Sequence, residues 1–143
     1  MPKYRTHNCG ELRVEDSGKK VTLSGWVHSI RSHGPLSFID LRDRYGLTQV
    51  VLDSSLSKAL RRESTITISG EVVKKEVPNK NLKTGDVEVK ATTLEVLGLA
   101  EPLPLDENAS DDTRLKYRYL DLRRPEMMSN LKLRHDVLQA ARE

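Results

Sequence analysis

Cysteine is almost missing from this chain: its 143 residues contain one, Cys9. A lone thiol excludes an internal disulfide and a thiolate metal site, so Cys9 reads as a small, half-buried residue near the N-terminus rather than a nucleophile. Long apolar runs are missing as well. No stretch approaches the ~20 residues that a membrane helix needs. The opening MPKYRTHNCGEL carries no apolar signal core, which makes the cytoplasm the expected compartment. His7, His28, His33 and His135 show no metal-ligand spacing and have no cysteine pair beside them. None of G-x-x-x-x-G-K-[ST], G-x-G-x-x-G and G-x-S-x-G occurs. No catalytic residue, metal or cofactor site is therefore expected within these residues.

What is present describes one domain with a modest core and an appendage, at 36% hydrophobic and 31% charged residues. The net charge of +3 is unevenly placed. Residues 1–112 hold 16 Lys/Arg against 17 Asp/Glu, and residues 113–143 hold 8 against 4. A polyanionic partner is permitted without being demanded, because affinity for phosphates depends on local clusters of charge.

The stretch Gly25 to Leu52 organises the rest. Val21, Leu23, Gly25 and Val27 alternate with Thr22, Ser24, Trp26 and His28, which predicts a first strand with one face in a core. Turn chemistry follows at His33-Gly34-Pro35. In a second strand Ile39 and Leu41 share a face, and the opposite face carries Phe38, Asp40 and Arg42. The only Phe in the chain is thus expected among charges, facing water. Tyr45-Gly46 makes the next turn, and Leu47 to Leu52 a third strand. Its run Val50-Val51-Leu52 is too uniformly apolar for alternation to fix which way Gln49 points.

Around this core lie a polar opening segment, Lys3 to Gly18, with Asn8 able to cap a short turn, and a short helix predicted over Ser54 to Arg62 with a Ser cap. Thr65 to Lys75 is a fourth strand with a bend or bulge at Gly70. Glu76 to Gly85 is a long loop, and Val87 to Val96 a fifth strand. Three strands, a helix and a two-strand hairpin is the element order of the OB-fold, an all-β, five-stranded Greek-key barrel that binds oligonucleotides on the face of strands 2 and 3. The barrel is assigned to residues 1–104. Leu99 to Asp112 has linker composition, and residues 105–143 are read as a helical hinge segment. Within it, RLKYRYLDLRR (Arg114 to Arg124) interleaves five basic residues with Tyr117 and Tyr119; interdomain packing is favoured over contact with an RNA backbone. Pro125 opens a helix to Glu143 whose apolar stripe expects a partner or a continuation.

An exposed aromatic ring offers a nucleobase a stacking surface, and cations nearby hold phosphates. Phe38, flanked by Arg31 and Arg42 with Lys80 and Lys83 in the opposing loop, could form such a platform. The competing reading is that Phe38 packs under a loop among ordinary surface charges. An amide such as Gln49 can both donate to and accept from a base edge, although a lone Gln on a strand usually just faces solvent.

The pieces THNCGEL, VTLSGWVH, FIDLRDRYGLTQVV, ISGEV, TGDVEV and RLKYRYLDLRRPEM together resemble the N-terminal part of bacterial-type aspartyl-tRNA synthetase, a class IIb aminoacyl-tRNA synthetase. The resemblance implies an anticodon-binding OB-fold in which Phe38 stacks on the central anticodon uridine and Gln49 hydrogen-bonds that base. It places Arg31 at the anticodon region. Asn79, Lys80, Asn81 and Lys83 of the loop, with Glu88, lie near the flanking bases. His33, in the first turn, resembles the type that charges both aspartate and asparagine tRNA. The implied partner is tRNA of the aspartate type, with the asparagine type as a second candidate, and the implied parent is a homodimer.

Some positions depart from the family pattern. Ser29-Ile30-Arg31 stands where a run of arginines is common, Pro35 where Gly or Ser is usual, and Val73 and Lys75 where Arg is frequent. Family members also continue into a catalytic domain that holds ATP and Mg and performs aspartylation. The chain is on this resemblance a fragment, expected to bind tRNA and to be inactive by itself. The alternatives are a free-standing OB-fold protein that holds single strands indifferently, and an assembly piece without RNA affinity.

Overall fold

Five strands alternate inward apolar and outward polar residues, and the sheet they form closes on itself. The computed structural model describes residues 4–106 and 108–143; Lys3 of the opening segment and Glu107 of the linker lie outside the described residues. Strands β1 (Lys20–His33), β2 (Leu36–Arg42), β3 (Leu47–Asp53), β4 (Thr65–Lys74) and β5 (Val87–Gly98) make a closed barrel in the order β1-β2-β3-β5-β4. Every neighbouring pair is antiparallel except β3 and β5, which run parallel with Val50 opposite Val89. The OB-fold expected from the element order is the fold observed. Two units divide the chain, Met1–Pro102 and Leu103–Glu143.

The barrel interior is filled from alternate strand positions, including Val21, Leu23, Val27, Ile39, Leu41, Val50, Leu52, Ile66, Ile68, Val72, Val87 and Val89. Leu12 and Cys9 add to it from the opening segment. Cys9 is more deeply placed than its half-buried expectation, at 1% exposed, because it packs with Leu12 into the core cluster. The Cys9 amide donates to Asp43 Oδ2 at 2.9 Å, and its carbonyl accepts from the Thr48 hydroxyl. Burial, then the Asp43 charge, pushes the thiol far above its ordinary value, which removes the thiolate a nucleophile would need.

Two elements differ from the sequence reading. β1 does not stop at His28 but continues to His33, since its first half pairs with β4 and its second with β2. An irregularity between Val27 and Ser29 supplies the bend that lets one strand serve two neighbours. The helix after β3, α1, spans only Ser54–Ser57, and its cap is Asp53, whose carboxylate accepts from the Ser55 amide. Helix spacing runs further in the sequence, but Leu60 must bury at 7% exposed and Glu63 takes a positive φ of 70°, which turns the chain into β4. At Gly70 the register slips as expected. A Cβ there would stand 2.2 Å from the Lys90 carbonyl oxygen and 2.8 Å from Ala91 Cα, so the two backbones meet only because no side chain intervenes.

The second unit holds α2 (Asp111–Lys116), α3 (Arg118–Asp121) and α4 (Pro125–Ala140). Ser110 caps α2 through the Thr113 amide, and Pro125 opens α4. Asp121 is fully buried with three guanidinium groups around its carboxylate: Arg114 Nε at 2.9 Å, Arg118 at 2.8 Å and Arg124 Nε at 3.4 Å. The Arg114 hydrogen bond holds the Asp121 carboxyl below its usual range against the opposing effect of burial. Three of the five basic residues in RLKYRYLDLRR thus converge on one internal acid. Helix α4 buries no residue, and Leu131, Leu133, Val137 and Leu138 are exposed.

Candidate nucleic-acid interface

Strand parity puts Phe38 on the outer face of β2, where it is half-buried. Its cross-strand neighbours are Arg31 on β1 and Val51 on β3. Val51 is 8% exposed although it points outward, which accounts for the unbroken apolar run in β3: the residue opposite the ring is itself covered. Gln49 lies on this same outer face, opposite Asp40. The orientation that alternation could not fix is therefore outward.

Two partners, one on β5 and one just past β4, hold the Gln49 amide. Its Nε2 donates to Glu88 Oε2 on β5 at 3.0 Å, and its Oε1 accepts from Lys75 Nζ, just past β4, at 3.1 Å. Lys75 is 8% exposed. Burial pushes its ammonium below the ordinary lysine range, with the Glu88 charge pulling the other way. Beside this triad opens a recess of about 350 Å³ lined by Gln49, Glu88, Val73, Asn79 and Lys90 among others.

Between Gln49 and β1, Asp40 accepts from the Ser29 hydroxyl at 2.5 Å, and an Arg31 terminal nitrogen lies 3.1 Å from both its oxygens. The Arg31 side chain stays 61% exposed. An exposed ion pair contributes only ~0–1 kcal/mol, so Arg31 gives up little by turning to a phosphate. Arg42 is different: its guanidinium donates to both Glu63 oxygens at 2.8 and 3.0 Å and approaches His28 Nδ1 at 3.3 Å. That engagement removes it from the platform suggested by the sequence. Burial, then Arg42, pushes the His28 imidazole below its ordinary value. His33 ends β1 on the same face as Arg31 and is exposed.

The loop between β4 and β5 is folded. Asn79 Oδ1 accepts from the Asn81 amide at 3.0 Å, the Asn79 amide donates to the Gly85 carbonyl at 3.0 Å, and the Thr84 hydroxyl donates to the Leu47 carbonyl. Lys80, Asn81 and Lys83 are exposed on it. The structure thus gathers Arg31, His33, Phe38, Gln49 and Glu88 on one outer face, with Asn79 at the recess and Lys80, Asn81 and Lys83 on the loop. In the sequence Lys75 and Val73 stand out only as departures from the family pattern and Asp40 only as a residue on the face of Phe38, while Lys90 carries no signal. Only the β3–β5–β4 pairing brings Lys75 to Gln49, and no local pattern carries that signal. Among the described residues no group of three or more His, Cys, Asp or Glu could hold a metal ion, and no helix is long and apolar enough to cross a membrane.

A closed barrel of this strand order, with an aromatic ring and an anchored amide on the outer β2–β3 face, has the form of an oligonucleotide-binding OB-fold. A family described as OB-fold nucleic acid binding domain matches residues 21–97, and one described as tRNA synthetases class II (D, K and N) matches residues 110–143. The chain belongs to the family of OB-fold nucleic acid binding domains, in the form carried by class II tRNA synthetases of the D, K and N group. It is 53% identical over 154 residues to the aspartate–tRNA(Asp/Asn) ligase of Gluconobacter oxydans, a match that covers 100% of this chain and 26% of that protein. It is 49% identical over 153 residues to the ligase of the same name from Zymomonas mobilis, covering 99% of this chain and 26% of that one. Among solved structures, the asparaginyl-tRNA synthetase of Pyrococcus horikoshii is similar with a TM-score of 0.81 and 31% identity, over 95% of this chain and 34% of that chain. The chain spans about a quarter of the length of the curated relatives it matches.

Proposed function

We propose that the barrel, residues 1–104, binds the anticodon loop of an aspartate-type tRNA, and that residues 105–143 are a hinge toward the remainder of an aspartate-tRNA ligase. In this reading an unstacked central uridine lies on Phe38 while the Gln49 amide pairs with its edge. Arg31, Lys80 and Lys83 hold phosphates, and Glu88, Asn79 and Asn81 meet the flanking bases. Phosphate contacts fix register and base contacts specify, so Phe38 and Gln49 carry the recognition. His33 borders the site and favours acceptance of the asparagine-type loop as well. The parent's aspartylation, with ATP and Mg in a catalytic domain, its dimeric state and its cytoplasmic location belong to the same proposal.

The observation that supports this most is the half-buried Phe38 ring beside an outward amide held by two charged groups. A half-buried ring is held firmly enough to stack and is accessible enough to be reached. The test is a titration of the chain with an aspartate-type anticodon stem-loop and with the same loop changed from U to C at its central base. The changed loop is expected to bind ~10-fold more weakly or worse. Equal affinity for both would indicate indifferent single-strand binding, and no binding of either at low salt would indicate an assembly piece.

A further inference from the structure

We propose that Lys75 is a positioning residue: together with Glu88 it fixes which way round the Gln49 amide faces, and this lets the amide choose a keto over an amino pyrimidine edge. The inference rests on the anticodon reading of this face. A glutamine amide has nearly the same shape on both sides, and a half-turn about its last bond exchanges carbonyl oxygen for NH₂. Uracil presents the O4 acceptor beside the N3–H donor. Cytosine presents the N4 donor beside the N3 acceptor, which is the reverse order. An unrestrained Gln could therefore serve either base by flipping.

Here the flip is opposed from both ends. Oε1 accepts from the Lys75 ammonium at 3.1 Å, and Nε2 donates to the Glu88 carboxylate at 3.0 Å. Turning the amide over would set NH₂ against an ammonium and C=O against a carboxylate, which loses both hydrogen bonds and makes both contacts repulsive. Hydrogen bonds to charged partners are the stronger kind. Lys75, at 8% exposed, is also poorly placed to trade its contact for water. The amide oxygen and nitrogen each retain one further hydrogen-bonding position, so an arriving base meets a donor and an acceptor in one fixed order. Two partners, 26 and 39 residues away in the chain, thus convert an ambidextrous side chain into a selective one.

The test uses the full chain as wild type, Lys75→Met and Lys75→Arg, each titrated with two stem-loops that differ only in U or C at the central position. Wild type is expected to prefer U by ~10-fold or more, and Lys75→Met to narrow that preference to ~2- to 3-fold as the C loop gains relative to the U loop. Lys75→Arg, which can still donate to Oε1, is expected to restore most of the preference. A Lys75→Met chain that weakens on both loops alike, with the ratio kept, would make Lys75 a general charge contact and overturn the proposal. A wild type that binds neither loop would instead sink the anticodon reading beneath it. Thermal melting establishes that the variant is folded; if Lys75→Met does not fold, Glu88→Met removes the other half of the clamp and carries the same two outcomes.

Discussion

Phe38→Ala is expected to weaken binding of an aspartate-type anticodon stem-loop by ~10-fold or more, because a base stacked on an aromatic ring contributes ~1–3 kcal/mol. The variant also uncovers Val51, the cross-strand neighbour now 8% exposed, so some stability goes with the affinity. Phe38→Leu separates the two effects. Leucine keeps an apolar cover over Val51 but has no flat face, so calorimetric titration should give nearly the alanine variant's loss of affinity, with a melting temperature closer to wild type. Wild-type affinity in both variants would mean that the ring supports the sheet and stacks on nothing.

Ile68→Ala is expected to do the converse. Ile68 is 0% exposed at the centre of β4, paired on one side with Leu23 and on the other with Leu94. Truncating a buried isoleucine costs ~2–5 kcal/mol, in part for the cavity left behind. For a barrel of this size that is a fall of ~10–30 °C in melting temperature. At a temperature where the variant is still folded, its affinity for the stem-loop should match wild type, since the outer face is untouched. A melting point within ~3 °C of wild type would contradict the packing described for the barrel.

The contrast between these variants matches what the sequence could and could not carry. Alternation along β2 was enough to place Phe38 outside and Ile39 inside, because a period of two residues is written in adjacent side chains. The same rule failed on β3, where Val51 is sheltered on the outer face and its apolar neighbours Val50 and Leu52 point inward. The helix spacing from Ser54 to Arg62 promised more than α1 delivers, since the burial of Leu60 and the turn at Glu63 are demands of the barrel and not of the segment. Arg42 was readable as a cation near Phe38, but its capture by Glu63, 21 residues on, was not. Nor was the clamp on Gln49, which exists only once β3, β4 and β5 lie side by side. Short-range pattern therefore revealed the platform, and long-range pairing decides how its polar groups are aimed.

The most direct measurement is photochemical crosslinking of the chain to an anticodon stem-loop carrying 5-iodouridine at its central position, followed by peptide mapping. An adduct on Phe38 is the predicted result, because a ring seated on that base is the nearest reactive group. An adduct that maps to α4 or to the opening segment, with β2 unmodified, would contradict the account.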